Sequence, residues 1–200
     1  MWTGFRIALG GAQERYDVRA DLCCFSKALA NGMPLSMLTG RAAIMDLLER
    51  DVFFYTTFGG EALSLAAAKA TLEELVDQAV PRALEARGNE LKEGYNRLAA
   101  QKGLAYTRAK GLGCRVLVAF DAGAADPLEQ KSLMQQELLR HGVLWSGFHN
   151  LSYSHGAQEL EHVLAAYGSA LDVLARAVEK KDVRNQIIGP PVEPVFRAVR

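Results

Sequence analysis

Apolar positions in the first eighty residues fall into two kinds of pattern. Asp21 to Phe25 and Leu35 to Thr39 are short apolar runs bounded by Gly, Pro or Asn, which predicts strands buried in a sheet. The opening "WTGFRIALGGAQERY" reads as a strand leading into a loop, and Arg41 to Glu49 reads as a helix. From Glu61 to about Val80 the pattern changes to Ala, Leu and Glu with apolar residues on a 3.6 period, the signature of a long helix that Pro81 interrupts.

A second helix follows in "PRALEARGNELKEGYNRLAAQKG", where Pro81 suits the first turn and Gly103 a C-terminal cap. A strand is predicted over "CRVLVAF", a helix over Pro127 to Arg140, a short strand over "GVLW" and a last helix from Ala157 to about Lys180. Helices alternating with short strands make an α+β pattern. The tail "NQIIGPPVEPVFRAVR" has three prolines and no period, so it predicts an extended arm that is ordered only where it lies on something.

Composition narrows the classes of function. Half of the 200 residues are apolar, enough for a substantial core, and 23 basic against 23 acidic residues give a formal net charge of zero. Without a long block of one sign, nucleic acid and anionic membrane are poor partners. Charge or glycine breaks every apolar stretch before the roughly 18 residues of a membrane span, and the start lacks the order of a signal peptide, so a cytoplasmic location is expected. Cys23, Cys24 and Cys114 form neither a disulfide framework nor a spaced metal site and are expected to be reduced.

Three stretches could carry chemistry. In "FSKALANGMPLSMLTG" Lys27 follows an apolar strand and precedes a flexible turn. Ligands gather at the carboxyl ends of strands in α/β sheets, and a desolvated neutral lysine attacks carbonyls. A lysine snorkelling at a strand end is the plainer reading. In "YTTFGGEA" two hydroxyls and two glycines precede a helix, which suits a phosphate site and equally an N-cap with a tight turn. In "WSGFHNLSYSH" aromatic, hydroxyl and imidazole groups form either a pocket lining or ordinary loop surface. His141, His149, His155 and His162 lack metal-ligand spacing, and no metal is expected.

Taken in order, these motifs form one pattern. Residues 3–46, "TGFRIALGGAQERYDVRADLCCFSKALANGMPLSMLTGRAAIMD", closely resemble the segment around the cofactor lysine in class III aminotransferases. Within them the glutamate-1-semialdehyde 2,1-aminomutase branch also has TGFR, GAQ and a lysine before Gly-Met-Pro. The likeness continues through "TTFGGEALSLAAA" and more loosely to the end. It implies an α/β fold, the C-terminal part of a fold-type I pyridoxal-phosphate transferase. Residues 1–80 would close the large cofactor domain, 81–185 would form the small α+β domain, and 186–200 the Pro-rich tail.

The resemblance also implies the chemistry. Lys27 would hold pyridoxal 5'-phosphate as a Schiff base and shuttle a proton during transfer between a small-molecule amino donor and a carbonyl acceptor. Thr57 matches the threonine that binds the cofactor phosphate of the neighbouring subunit, so a homodimer with its active site at the interface is implied. An aminomutase, moving the amino group within one substrate, and a non-catalytic remnant with a binding or assembly role are the alternative readings.

Departures from the family pattern carry expectations of their own. Glu61-Ala62 replaces Asn-Pro after Gly-Gly, and Ala20-Asp21-Leu22 replaces Pro-Asp-Leu. His149 aligns with a glutamate of the aminomutase branch, in a loop two residues shorter, which makes it a candidate for substrate specificity. The family aspartate that pairs with the pyridine nitrogen would fall two residues before Met1, so the 200-residue chain alone is expected to be inactive or nearly so.

Overall fold

The structure, a computed structural model, describes residues 3–194. The chain divides into two compact units, Met1–Glu85 and Ala86–Arg200.

In the first unit α1 (Ala12–Tyr16) leads to a hairpin of β1 (Leu22–Phe25) and β2 (Met37–Gly40), antiparallel with Cys23 opposite Thr39 and Phe25 opposite Met37. Short α2 (Ala42–Met45) runs into a 3-10 turn over Asp46–Glu49, where a single helix was expected. The long α3 (Ala62–Asp77) then buries Ser64, Ala68 and Leu75 on one face. Among the described residues the expected opening strand is absent. Phe5 has φ 62, Arg6 N–H bonds to the Thr3 carbonyl, and Gly11 N–H bonds to that of Ala8, so this segment spends its backbone groups on turns. Its glycines serve packing. A Cβ on Gly4 would lie 2.7 Å from the Phe25 ring, and that ring stacks 5.1 Å from Phe5.

A helix with Pro81 in its first turn, α4 (Val80–Gln101), leads into the second unit and ends in Gly103 at φ 69. There β3 (Thr107–Leu112), β4 (Arg115–Phe120) and β5 (Phe148–Asn150) form an antiparallel sheet in that order. The packed helices are α5 (Pro127–Arg140) and α6 (Ala157–Glu179), followed by α7 (Val183–Gln186). Asp126 caps α5 by accepting from the backbone of Leu128 and Glu129 at 2.8 and 3.1 Å, with Pro127 in the first turn. The core joins Leu133 and Leu138 of α5 to Tyr167, Leu171 and Leu174 of α6, each at most 1 % exposed.

Two strands differ from the sequence expectation. The strand β3 was missed, because "TRAKGL" alternates charge with Thr and Ala and has no apolar run. It is an edge strand whose inward face needs only Thr107 and Ala109. The "GVLW" segment is extended in burial pattern, with Val143 and Trp145 buried and Leu144 88 % exposed, yet it is not a strand. The place beside β4 belongs to Phe148–Asn150, which lies in the segment read as loop.

The tail departs from an extended arm only at its first residues. It begins with α7 and then lies on α5, with Ile188 N–H donating to Gln136 Oε1 and Val192 N–H to Ser132 Oγ, both at 2.8 Å. The rest of the expected arm, residues 195–200, lies outside the described residues. No helix among the described residues is long and apolar enough to cross a membrane.

Candidate active site

Lys27 stands one residue after β1, at the first position of a 3-10 turn, Lys27–Leu29, with Ser26 between. Its side chain is exposed and its backbone lies at φ 55, a left-handed conformation that costs an L-residue about 1–2 kcal/mol. Anchors on both sides hold it there. Leu29 and Ala30 are each 2 % exposed, and the Lys27 carbonyl accepts from the N–H groups of Ala30 and Asn31 at 3.4 and 3.1 Å. Before it, Ser26 is fully extended, and its Oγ donates to the Leu35 carbonyl at 3.0 Å while accepting from Ser36 Oγ at 2.9 Å. The turn therefore stores strain at one lysine inside a frame that over-determines it, a combination that clusters at functional sites.

Thr57 lies in a segment, residues 51–60, that is exposed throughout. Phe53, Phe54, Tyr55 and Phe58 in this stretch are 92, 63, 72 and 75 % exposed, an apolar surface of unusual density for a short loop. The N-cap of α3 is not a threonine. Glu61 accepts from the N–H groups of Leu63 and Ser64 at 2.7 and 2.8 Å and from Ser64 Oγ at 2.7 Å, and these bonds hold its carboxyl below the usual carboxylate range. Its place in a Gly-Gly-Glu stretch before an alanine-rich helix was the sequence signal for this cap. The hydroxyls of Thr56 and Thr57 are thus not consumed in capping. Gly59 packs so closely that a Cβ there would meet Thr56 Oγ1 at 2.3 Å. Among the described residues no hydrogen bond or ion pair joins Lys27 to Thr57.

His149, on β5 in the second unit, is half-buried, and its Nε2 lies 2.7 Å from the hydroxyl of Tyr167. Burial lowers its pKa from 6.5 to about 4, with His155 adding repulsion, while burial raises that of Tyr167. A buried phenol must place its proton, so Tyr167 donates and Nδ1 of His149 carries the ring hydrogen. Tyr167, 1 % exposed, also meets Tyr95 edge to face at 4.8 Å. The sequence showed Tyr167 only as one more residue of the apolar stripe of α6. His149 borders a cleft of about 430 Å³ whose polar side includes His149, His155, His162, Gln158 and Glu159 and whose apolar side includes Leu91, Leu151 and Val163. The stretch "WSGFHNLSYSH" therefore does line a pocket, although part of it is a strand.

The cysteines carry no bridge. Cys23 and Cys24 sit on β1 and Cys114 is fully buried, all three as free thiols. Among the described residues no group of three His, Cys, Asp or Glu side chains could hold a metal ion.

Comparison with known proteins gives these positions a context. The family model for aminotransferase class III matches residues 3–155. Glutamate-1-semialdehyde 2,1-aminomutase of Syntrophobacter fumaroxidans is 32% identical over 181 residues, covering 84% of this chain and 42% of that protein. The 3-aminobutyryl-CoA aminotransferase of Cloacimonas acidaminovorans is 28% identical over 173 residues, covering 84% and 41%. Among solved structures, the FumI protein of Sphingopyxis sp. MTA144, with its pyridoxal phosphate, superposes with a TM-score of 0.77 at 27% identity over 88% of this chain and 42% of that one. The chain spans about two fifths of the length of the curated relatives it matches.

Proposed function

Because this chain belongs to the class III aminotransferases, with the fold of the C-terminal part of a pyridoxal-phosphate-dependent transaminase, we propose that it serves amino transfer between a small-molecule amino donor and a carbonyl acceptor, with Lys27 as the cofactor lysine. The observation that carries this reading is the backbone of Lys27. That backbone, at φ 55, is held between β1 and the buried Leu29 and Ala30, inside the segment that the class III family model matches.

The residues present fit the cofactor's needs on this side. Pyridoxal phosphate, when bound, supplies an electron sink for the amino group's carbon. Lys27 presents an exposed primary amine from a turn whose backbone is hydrogen-bonded at its carbonyl, which suits a base in a proton transfer. Thr57 offers a hydroxyl, free of helix capping, in a segment ending at the positive N-terminus of α3, which suits a phosphate. The apolar surface of Phe53, Phe54, Tyr55 and Phe58 around it supports assembly with a second copy, so that Thr57 would serve the neighbouring subunit's cofactor.

A second reading, intramolecular amino transfer, is favoured by the higher identity to aminomutases. By the family resemblance His149 takes the place of a glutamate of that branch, which argues against glutamate semialdehyde as the substrate, since a neutral imidazole lacks a carboxylate's charge.

Incubation with pyridoxal phosphate followed by borohydride tests the reading. The pyridoxyl group is expected on Lys27, with Lys27→Ala losing it; a label spread evenly over the surface lysines would remove Lys27 from its role. Product analysis with glutamate semialdehyde, against separate donor and acceptor pairs, separates mutase from transferase.

A further inference from the structure

We propose that Ser26 and Ser36 are positioning residues for Lys27, a hydroxyl clasp that holds the lysine's backbone in its left-handed turn; the proposal rests on the reading of Lys27 as the cofactor lysine. The problem the clasp solves is physical. Lys27 lies at φ 55, Asn31 at φ 43 and Gly32 at φ 116, so three of six consecutive residues are left-handed. Only Gly32 adopts such a backbone without strain, and the other two relax unless both ends of the loop are held.

The downstream end is held by burial of Leu29 and Ala30 and by the bond from Met33 N–H to the Ala30 carbonyl at 3.2 Å. At the upstream end the nearest apolar anchor is the Phe25 ring against Phe5, and Ser26, the residue between β1 and the lysine, is polar. Here the side chain does the holding. Ser26 Oγ donates its one proton to the Leu35 carbonyl and accepts from Ser36 Oγ, so one hydroxyl ties the residue before Lys27 to two successive residues before β2.

The geometry explains why the link is made by side chains. The β1–β2 ladder ends with Phe25 opposite Met37, so Ser26 and Ser36 are the first pair beyond it. A backbone bond there would continue the hairpin and draw Lys27 toward the β-region. A side-chain bond closes the mouth of the loop and leaves the backbone of Lys27 free to turn. The partly buried bond to Leu35 outweighs the exposed one from Ser36, which water can replace.

The test uses the full 200-residue chain and two readouts. Amide hydrogen exchange over residues 25–36, without cofactor, reports how often the turn opens. Borohydride trapping after pyridoxal phosphate, read by peptide mass spectrometry, reports the rate at Lys27 relative to Lys69, Lys102 and Lys110. Ser26→Ala is expected to raise exchange of the Ala30 and Asn31 amides about fivefold and to slow labelling of Lys27 by a similar factor, the ratio that one net hydrogen bond sets. Ser36→Ala is expected to act in the same direction by less, adding little to Ser26→Ala, and Ser36→Thr, which keeps the hydroxyl, is expected to match the parent.

Unchanged exchange and labelling in both alanine variants overturn the clasp while leaving Lys27 in its role. Faster exchange with unchanged labelling reduces the serines to a local structural part and overturns their positioning role. If the parent chain shows no preference for Lys27, the reading of that lysine fails and the positioning role falls with it, which the parent measurement alone reveals.

Discussion

Asn96 of α4 and Ala109 of the edge strand β3 exchange two hydrogen bonds: Asn96 Nδ2 donates to the Ala109 carbonyl at 3.1 Å, and Ala109 N–H donates to Asn96 Oδ1 at 2.8 Å. The amide side chain thus fills the place where the next strand's backbone would pair. Two residues along, Lys92 Nζ reaches the Gly111 carbonyl at 3.3 Å, so one helix closes the outward groups of an edge strand. Asn96→Ala is expected to destabilise the chain by about 1–3 kcal/mol, because Ala109 is buried and both of its groups would lose their partners. Its dilute solutions should also associate with rising concentration. Denaturant melts and sedimentation check both effects.

Gly88, in the middle of α4, carries the turn between β3 and β4 at contact distance. A Cβ there would lie 1.6 Å from the Gly113 carbonyl oxygen, a backbone atom that cannot step aside. In an open helix Gly→Ala gains roughly 1 kcal/mol. Here Gly88→Ala is expected to lose about 1–3 kcal/mol or more through overpacking, visible as a lower denaturation midpoint.

The cap at Glu61 predicts a pH dependence. Its folded carboxyl titrates below the ordinary value of 4.5 because hydrogen bonds from Ser64 and Leu63 favour the charged form. The stabilisation is present above that value and is lost as pH falls through the lower folded one. Glu61→Ala is expected to lower the melting temperature at neutral pH and to narrow its difference from the parent in acid.

The pair of His149 and Tyr167 predicts a second dependence. The folded pKa of His149 is about 4 against 6.5 unfolded, so the unfolded chain binds the extra proton between those values. Stability from this group is complete above 6.5 and is lost as pH falls toward 4. His149→Gln, which keeps an acceptor for Tyr167 but does not titrate, is expected to flatten the pH–stability curve across that window. An unchanged slope would mean that His149 is hydrated when folded.

Leu138, fully buried at the contact of α5 with α6, tests the core of the second unit. Leu138→Ala is expected to cost about 2–5 kcal/mol by transfer and cavity terms, measured by denaturant unfolding.

Elements with their own local logic were legible in the residues. The helix over Pro127–Arg140 was read with its bounds as they stand in the structure, and Gly103 stopped α4 as its missing side chain allows. Lys27 gained its weight from the ordered motifs around it. The edge strand β3 was illegible because its partners are a strand and a helix that supply the apolar surface it lacks, and β5 because three residues are too few for a period.

By itself the sequence determined the long helices, the positions of β1 and β2 and the family, since caps, periodicity and motif order are properties of neighbours along the chain; that β1 and β2 form a hairpin with no fully buried residue was not among them. Only the tertiary structure decided the rest: that Phe148–Asn150 and not "GVLW" completes the sheet, that Tyr167 sets the tautomer of His149, and that Ser26 and Ser36 close the turn carrying Lys27. Each of these depends on which groups meet across the fold. A hydrogen bond has a direction and a reach of about 3 Å, so it is specified only when the backbone has brought its two ends together.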